Sequence, residues 1–299
     1  MGSQLHSADF NGDGKTDLML GALHAWAPDL EETGAVYIVY GQPGVAGATI
    51  DLQNISASGL RLTSIYGEQE FACAGDSFGS FDINGDGMSD LFIGSPEMNL
   101  VIGGQTRSEA GDTKIIFGQR DFLPRVVKLY NPPAGLRIFR LAGARGKEQS
   151  MDDGDEFSYS VAGGDVDGDG YVDYISNALH GDGVNNLLSS AGNVYIFSGR
   201  KLSTKLGFGP PVITSVTARR KSSGLISLKI TGSNFTADGT VTASTNGSPL
   251  KLKAALVDSS GSASAKIKAS SAPEPGTVIQ VRVVNALGIP SREAAVVAP

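Results

Sequence analysis

The sequence is poor in the residues that carry redox chemistry, zinc binding or membrane insertion. Its 299 residues include one cysteine, one tryptophan and three histidines. The single Cys73 excludes an intrachain disulfide, and so few Cys and His side chains make a zinc or copper centre unexpected. No apolar run approaches the ~18 residues of a membrane span, and the N-terminus lacks the features of a signal peptide. We therefore expect no membrane span, and any export signal would lie in upstream sequence.

The chain is rich in acidic turn sequences. Residues 9–17, 82–90 and 165–173 share one nine-residue pattern of Asp, Asn and Gly. Oxygens at positions 1, 3, 5 and 9, with a backbone carbonyl at position 7, can surround one Ca²⁺, and glycine at position 6 permits the sharp turn. Because a hard cation prefers oxygen ligands, this spacing predicts about one Ca²⁺ for each of the three segments.

The EF-hand is the competing interpretation of these segments. It requires a bidentate Glu at position 12 and a helix on either side. Position 12 is Leu20, Ile93 or Ser176, and a short apolar run typical of a strand follows each segment. The EF-hand interpretation is therefore rejected. An acidic turn held by Asp and Gly preferences without any ion remains the alternative to calcium.

The repetition extends beyond the acidic segments. Glycine-bounded apolar stretches recur at residues 34–41, 111–118 and 192–199, and a further pair matches at residues 59–67 and 135–143. Each unit is interpreted as four short strands. With 40 glycines and 13 prolines and few helix-period segments, the composition predicts an all-β protein.

At this point the chain resembles the FG-GAP repeats of integrin alpha-subunit heads and their bacterial relatives. The resemblance rests on the acidic segments, on Phe78-Gly79, on Gly94-Ser95-Pro96 and on Gly21-Ala22-Leu23, with Phe157-Ser158 in the place of Phe-Gly in the third unit. It implies that residues 1–203 form a partial β-propeller of three blades. The strand ahead of the second acidic segment looks shortened, so the second blade is expected to be irregular.

The resemblance also implies a set of calcium ligands. Three of them, Lys15, Met88 and Tyr171, would contribute only a backbone carbonyl. The complete set is Asp9, Asn11, Asp13, Lys15 and Asp17; Asp82, Asn84, Asp86, Met88 and Asp90; Asp165, Asp167, Asp169, Tyr171 and Asp173.

Three blades are too few for an ordinary propeller, which closes with four to eight. Two explanations stay open. The chain is part of a longer propeller, or it closes by association, for example as a homo-oligomer in which two chains supply six blades.

Charge divides the chain. Residues 1–199 hold 11 Lys and Arg against 27 Asp and Glu, a net charge of −16, whereas residues 200–299 hold 13 against 4, a net charge of +9. The acidic part argues against nucleic acid as a partner. The basic part is interpreted as a solvated strand face, or as a region attracted to an anionic cell-wall polymer or to the acidic part.

A second domain is predicted after a linker at residues 204–210. Residues 211–299 resemble the IPT/TIG immunoglobulin-like domain in the stretches 211–216, 228–235 and 239–241, which implies a β-sandwich. Its strands are predicted at residues 212–216, 225–230, 240–243, 263–267, 278–284 and 294–297.

Catalysis is weighed because residues 75–79 satisfy the G-x-S-x-G pattern around Ser77. That pattern needs a helix after the serine, whereas an acidic segment follows here, and of the three histidines only His180 lies downstream. A hydrolase using Ser77 is therefore an unfavoured alternative, as is the accessory, non-catalytic part of a larger secreted enzyme.

The sequence favours a non-enzymatic, calcium-binding surface or secreted protein. Its partner would be a protein or glycan at a cell surface or matrix. The insertions expected to contact that partner are residues 25–32, 99–110 and 181–190.

Overall fold

The structure is a computed structural model. It describes residues 2–299 apart from residues 53, 148–153, 184, 186, 207–210, 234, 236–238, 258–261, 285–290 and 292. Strands dominate, and α1 (Gly199–Leu206) is the one α-helix of the described residues. The protein is all-β, as the sequence predicts. Among the described residues, no helix has the length and apolarity needed to cross a membrane.

The chain divides into two compact units. The first comprises Met1–Ile83 and Gly87–Ser198, and the second comprises Asn84–Asp86 and Gly199–Pro299. The linker predicted at residues 204–210 begins inside α1, and its remainder, residues 207–210, lies outside the described residues.

Three sheets, one for each acidic segment, build the first unit. The first has the order β1-β2-β3-β4-β10, the second β11-β9-β6-β5 and the third β12-β13-β14, and β7 and β8 form a separate hairpin. The strands are β1 (Leu5–Ala8), β2 (Asp17–Ala22), β3 (Ala35–Val39), β4 (Leu62–Tyr66), β5 (Phe78–Phe81), β6 (Asp90–Ser95), β7 (Leu100–Ile102), β8 (Gln105–Arg107), β9 (Asp112–Ile116), β10 (Val126–Lys128), β11 (Ile138–Ala142), β12 (Phe157–Gly164), β13 (Asp173–Ala178) and β14 (Asn193–Phe197).

The expectation of four strands in every repeat is only partly right. The first and second sheets have them, and β10 adds a parallel strand to the edge of β4. The third sheet has three strands in the described residues, and α1 follows β14 where a fourth strand was expected. The insertion at residues 99–110 contains the β7–β8 hairpin. Strands β7, β8 and β10 have only three residues each, too few for a clear alternating pattern.

The three sheets pack on one another in sequence. Met19, Val36 and Ile38 of the first sheet share a buried cluster with Leu91, Ile93 and Ile116 of the second. Alternate residues of a strand lie on opposite faces, so Phe92 of the second sheet lies on the far side and stacks on Tyr174 of the third, with ring centroids 4.9 Å apart. Each sheet thus covers the next.

The far face of the third sheet has exposed apolar side chains on β14. Val194 and Ile196 occupy the β14 positions that Val36 and Ile38 occupy in β3, because both strands have the same register against the preceding strand. Val36 and Ile38 are fully buried, whereas Val194 and Ile196 are 72% and 59% exposed.

The structure corrects the alignment of the Phe-Gly motif in the second repeat, the one that contains the acidic segment 82–90. Ala74 bridges Gly34, and Phe157 lies against Gly111 in the same way. Gly75 and Ser158 both have positive φ, 81° and 75°. Ala74-Gly75 is therefore the equivalent of Phe157-Ser158, and Phe78-Gly79 lies four residues farther along. The strand ahead of the second segment, β5, has four residues, as β1 does, whereas the equivalent β12 has eight.

Two four-stranded antiparallel sheets form the second unit, in the orders β15-β16-β20-β19 and β18-β17-β21-β22. Leu228 and Ala265 of one sheet and Val241 and Val281 of the other share its buried core. The strands are β15 (Val212–Arg220), β16 (Ile226–Ser233), β17 (Thr240–Thr245), β18 (Ser248–Pro249), β19 (Leu252–Val257), β20 (Ser262–Ile267), β21 (Val278–Val284) and β22 (Ala294–Val297). Six of these were predicted, whereas β18 and β19 were missed. The IPT/TIG assignment stays a prediction, and part of its motif, residues 234 and 236–238, lies outside the described residues.

Candidate calcium sites

Each acidic segment is the turn of a β-hairpin. The residue before position 1 pairs with position 9 in all three: Ala8 with Asp17, Phe81 with Asp90 and Gly164 with Asp173. The strand after each turn starts at position 9, which agrees with rejection of the EF-hand. The three predicted ligand sets are therefore held in three copies of one hairpin.

Glycines make the turn possible. At position 6, Gly14, Gly87 and Gly170 have φ of 82°, 85° and 83°. Side chains other than glycine rarely adopt this left-handed region. The predicted role of the position 6 glycine is confirmed.

The position 1 carboxylate draws the turn around itself. Asp9 accepts hydrogen bonds from the backbone N–H groups of Asp13 and Gly14 at 3.1 and 2.8 Å. Asp82 accepts one from Gly87 at 2.8 Å. Asp165 accepts from Gly168, Asp169 and Gly170. The backbone is thus wrapped around this carboxylate by the chain itself.

Positions 3 and 5 continue the same pattern. The side-chain oxygens of Asn11, Asn84 and Asp167 accept the N–H of the residue two positions on. Asp13 and Asp169, at position 5, accept the N–H of position 7. These Asx-type turns orient the predicted ligand residues through hydrogen bonds of the chain itself.

Position 9 has a structural role that sequence reasoning missed. Asp17, Asp90 and Asp173 are buried. Asp17 accepts hydrogen bonds from Phe10 N and Gly41 N, and Asp90 accepts them from Ile83 N and Gly118 N. Burial raises the pKa of Asp17, an effect that these N–H groups oppose. The carboxylate joins the turn to the glycine after the next strand, and the recurring glycines at 41 and 118 were the available signal.

The third segment has the donor set that best fits a hard cation. Asp165, Asp167 and Asp173 can each place one carboxylate oxygen within 4.8 Å of the others. Three carboxylates at this separation repel one another unless a cation or protons neutralise them. The first two segments have Asn in place of Asp167, and so carry one carboxylate fewer.

The first segment carries an internal cation. Lys15 Nζ lies 2.9 Å from Asp13 Oδ2. The hydrogen bond from Lys15 lowers the pKa of Asp13. Since Lys15 competes for a predicted ligand oxygen, this segment fits Ca²⁺ less well than the third.

Candidate nucleophiles lie in the interior. Ser77 is buried, and its Oγ donates a hydrogen bond to the carbonyl oxygen of Ser158 at 2.6 Å. Strand β5 follows it, where a nucleophile elbow would have a helix. Cys73 is also buried, and burial raises the pKa of its thiol to about 12.

The three predicted contact insertions each expose a large apolar side chain. These are Trp26, Val101 and Leu187, which lie in residues 25–32, in β7 and in residues 181–190. Residues 184 and 186 of the third insertion lie outside the described residues.

Comparison with known protein families finds a match that covers the first hairpin. Residues 1–39 match the FG-GAP repeat. This FG-GAP repeat contains β1, the first acidic segment, β2 and β3. The second and third hairpins repeat its turn geometry.

The curated relatives with similar sequence are phosphatidylinositol-glycan-specific phospholipases D. The protein from Bos taurus is 31% identical over 121 residues, which are 40% of this chain and 13% of that protein. The Rattus norvegicus protein is 34% identical over 99 residues, 33% of this chain and 11% of that protein. The chain therefore spans only about an eighth of the length of these relatives.

Two solved structures show only a low overall similarity. The archaellum periplasmic stator protein FlaG from Sulfolobus acidocaldarius has a TM-score of 0.22 and 14% identity, and the match covers 29% of this chain and 97% of that one. A fungal alcohol oxidase of the AA5 family, in complex with copper, has a TM-score of 0.32 and 12% identity, with 98% of this chain and 53% of that one covered.

Proposed function

We propose that this protein is a non-enzymatic, calcium-stabilised binding scaffold of a cell surface or the extracellular space. Its FG-GAP hairpins are blades of a β-propeller, and their insertions bind a protein or glycan. The observation that carries the proposal is the repeated turn, in which positions 1, 3, 5 and 9 have the same backbone partners in separate sheets.

Calcium follows from the chemistry of this turn. The predicted ligands are oxygens, and in the third segment three carboxylates converge. An ion bound there would neutralise charge that otherwise repels and would tie the ends of the hairpin together. The ion is thus proposed to be structural, with an affinity of ~0.1–1 mM as in extracellular modules.

The calcium proposal is tested by native mass spectrometry of the full chain, stripped with EDTA and then titrated with Ca²⁺. We expect three ions on the wild type and two on the double variant Asp165→Ala, Asp169→Ala. The exposed Asp121, outside the turns, provides the matched control Asp121→Ala, which should retain three. Absence of bound ions, or an unchanged count in the double variant, would refute the calcium sites.

The binding role is supported by the position of the insertions between strands of the sheets, because connecting segments on a rigid scaffold commonly carry binding residues, and the exposed Trp26, Val101 and Leu187 are the apolar side chains to test there. We expect the combined variant Trp26→Ala, Val101→Ser, Leu187→Ser to lose binding on arrays of glycans and matrix proteins. Val297→Ser, an exposed apolar position of the second unit, is the control. If every array ligand binds the triple variant as it binds the wild type, the insertions are not the contact surface.

A second candidate function is favoured by the relatives. Because they are phospholipases D of which the matched segment is at most 13%, this chain is alternatively the accessory part of a larger secreted enzyme. The simpler enzymatic alternative, hydrolysis by Ser77, is tested with an ester substrate on Ser77→Ala and on Ser80→Ala, a control in strand β5, which follows Ser77. We expect no Ser77-dependent turnover, since the hydroxyl is buried and hydrogen-bonded.

The exposed apolar residues of the third sheet support association of two copies. Val194 and Ile196 are exposed where their equivalents are buried. The outer face of the first sheet, by contrast, packs against Val45, Ile50 and Leu52 of its own chain. Closure into a six-bladed ring therefore requires the segment with Val45, Ile50 and Leu52 to move away from the first sheet.

Light scattering tests this association. We expect it to detect a homo-oligomer that the double variant Val194→Asp, Ile196→Asp dissociates and that the control Val297→Asp leaves intact. A monomeric wild type would contradict the association.

A further inference from the structure

One face of the second unit is strongly basic. In the sheet β15-β16-β20-β19, Ile226, Leu228 and Ile230 point into the core, as do the apolar residues of β20. Since side chains alternate along a strand, the residues between them form the outer face. Six exposed cations lie on or beside it, and we call them the basic face: Arg219, Lys229, Lys251, Lys253, Lys266 and Lys268.

Strand pairing places these cations in a row. Arg219 pairs with Ser227, which pairs with Lys266, and Lys229 lies two residues along β16. Lys253 occupies the bulge of β19 opposite Lys266. Each of four adjacent strands thus contributes one cation, and because strands lie about 5 Å apart the row spans roughly 14 Å. Lys251 and Lys268 extend it, joined by a backbone hydrogen bond of 2.9 Å.

The basic face has no acidic counterpart within the sheet. Its four strands contain neither Asp nor Glu, and none of the six cations forms an ion pair with another described residue. The opposite sheet differs, because its exposed Arg282 lies 3.0 Å from Glu293. A row of unpaired like charges repels itself and attracts a polyanion.

We propose that the basic face binds an anionic polysaccharide. The hydroxyl groups of Thr217 and Ser264 lie on either side of Lys229 on the same exposed face and can hydrogen-bond to sugar hydroxyls. Five of the six cations are lysines, which act as point charges, whereas arginine forks favour bidentate phosphate recognition. Carboxylate or sulfate groups spaced along an extended chain fit this arrangement.

Other polyanions fit less well. The four strands contain no aromatic residue, so stacking of nucleic-acid bases has no platform. Large exposed apolar side chains are absent from the described residues of this sheet, so a lipid surface would find no apolar anchor. The proposal does not depend on the calcium turns, because none of their residues belongs to this sheet.

The test uses the full chain and sodium polygalacturonate in EDTA, which removes calcium bridging. Titration calorimetry should show binding that weakens as NaCl rises from about 50 to about 300 mM, and no binding to neutral dextran. We expect Lys229→Gln, Lys253→Gln, Lys266→Gln to bind at least ~10-fold more weakly, and Arg282→Gln to stay within ~2-fold of the wild type. Circular dichroism checks that both variants fold.

Four outcomes would overturn the proposal. They are no binding by the wild type, unchanged binding by the triple variant, an equal loss in Arg282→Gln, and tighter binding of double-stranded DNA or phosphatidylserine vesicles than of polygalacturonate. Failure of the calcium sites is distinguishable, because Asp165→Ala, Asp169→Ala should bind polygalacturonate like the wild type.

Discussion

The two units use charge in opposite ways. In the first, carboxylates lie in turns and between strands, where Asp17 and Asp90 are buried and bonded to backbone N–H groups. In the second, cations are exposed on a flat sheet face over an apolar core. The buried carboxylates of the first unit therefore contribute to its stability, whereas the exposed cations of the second unit are accessible to the proposed polyanion. Substitutions of charged groups should have large effects on stability in the first unit and small effects in the second.

The largest expected effect is at Lys114. Its side chain is only 4% exposed, and Nζ lies 2.7 Å from Asp112 Oδ2 and 3.1 Å from Glu68 Oε2. Lys114→Met would remove one of two cations from the buried Asp112, whose Oδ2 also lies 2.8 Å from Arg140 Nε, and should cost about 3–4 kcal/mol, in the lower part of the range for breaking a buried ion pair. Arg282→Met in the second unit removes an exposed pair and should cost less than about 1 kcal/mol. Urea unfolding measures both losses of stability. An equal loss in the two variants would contradict the difference between the two units.

Glycines with positive φ give the next contrast. A Cβ at Gly75 would lie 2.6 Å from the Ala35 carbonyl oxygen, whereas one at Gly247 in the second unit meets nothing within 4 Å. Both have positive φ, 81° and 77°. Gly75→Ala should cost about 3 kcal/mol through strain and overpacking, and Gly247→Ala about 1 kcal/mol through strain alone. Thermal unfolding of the two variants measures the difference.

Acid sensitivity should also separate the units. Burial tends to raise the pKa of Glu68, but Lys114 and Arg140 outweigh it and hold that pKa below its usual value. The resulting stability is present above the unfolded-state pKa and is lost as pH falls through the lower folded-state pKa. Glu68→Gln should therefore flatten the acid limb of the stability profile of the first unit. An unchanged profile would show that Glu68 does not contribute.

The smallest expected effect compares the acidic turns with one another. Lys15→Met frees Asp13 from its lysine partner and should tighten calcium binding at the first turn by about 2- to 5-fold, the size of an exposed ion pair. Lys128→Met, which breaks the Asp29 pair away from the turns, is the control. Titration calorimetry resolves the change; weaker binding in Lys15→Met would contradict competition by the lysine.

The fold was predictable where the pattern is local. The nine-residue turns, the strands after them and β21 and β22 all follow from short-range spacing. Elements without a periodic signal were missed, including β10, β18, the β7–β8 hairpin and α1. The Phe-Gly alignment was wrong in the second repeat. Phe78-Gly79 has the residue types of the motif, but the positive φ that corresponds to Ser158 of the third repeat belongs to Gly75.

The candidate site divides in the same way. Sequence spacing named every residue of the three turns, since a turn is made by neighbours in the chain. It missed the second partner of position 9, because Gly41 and Gly118 lie 24 and 28 residues away. Likewise, charge counting located a basic region, but only strand pairing put one cation on each of four adjacent strands.

The sequence by itself determined that this protein is all-β, with three acidic hairpin turns and segments of opposite charge, because turn geometry and alternation depend on near neighbours. Tertiary structure decided which carboxylates are buried, which apolar strand residues are exposed and which cations share a surface. Those properties arise from contacts between residues far apart in the chain, where packing and hydrogen bonding override local preference.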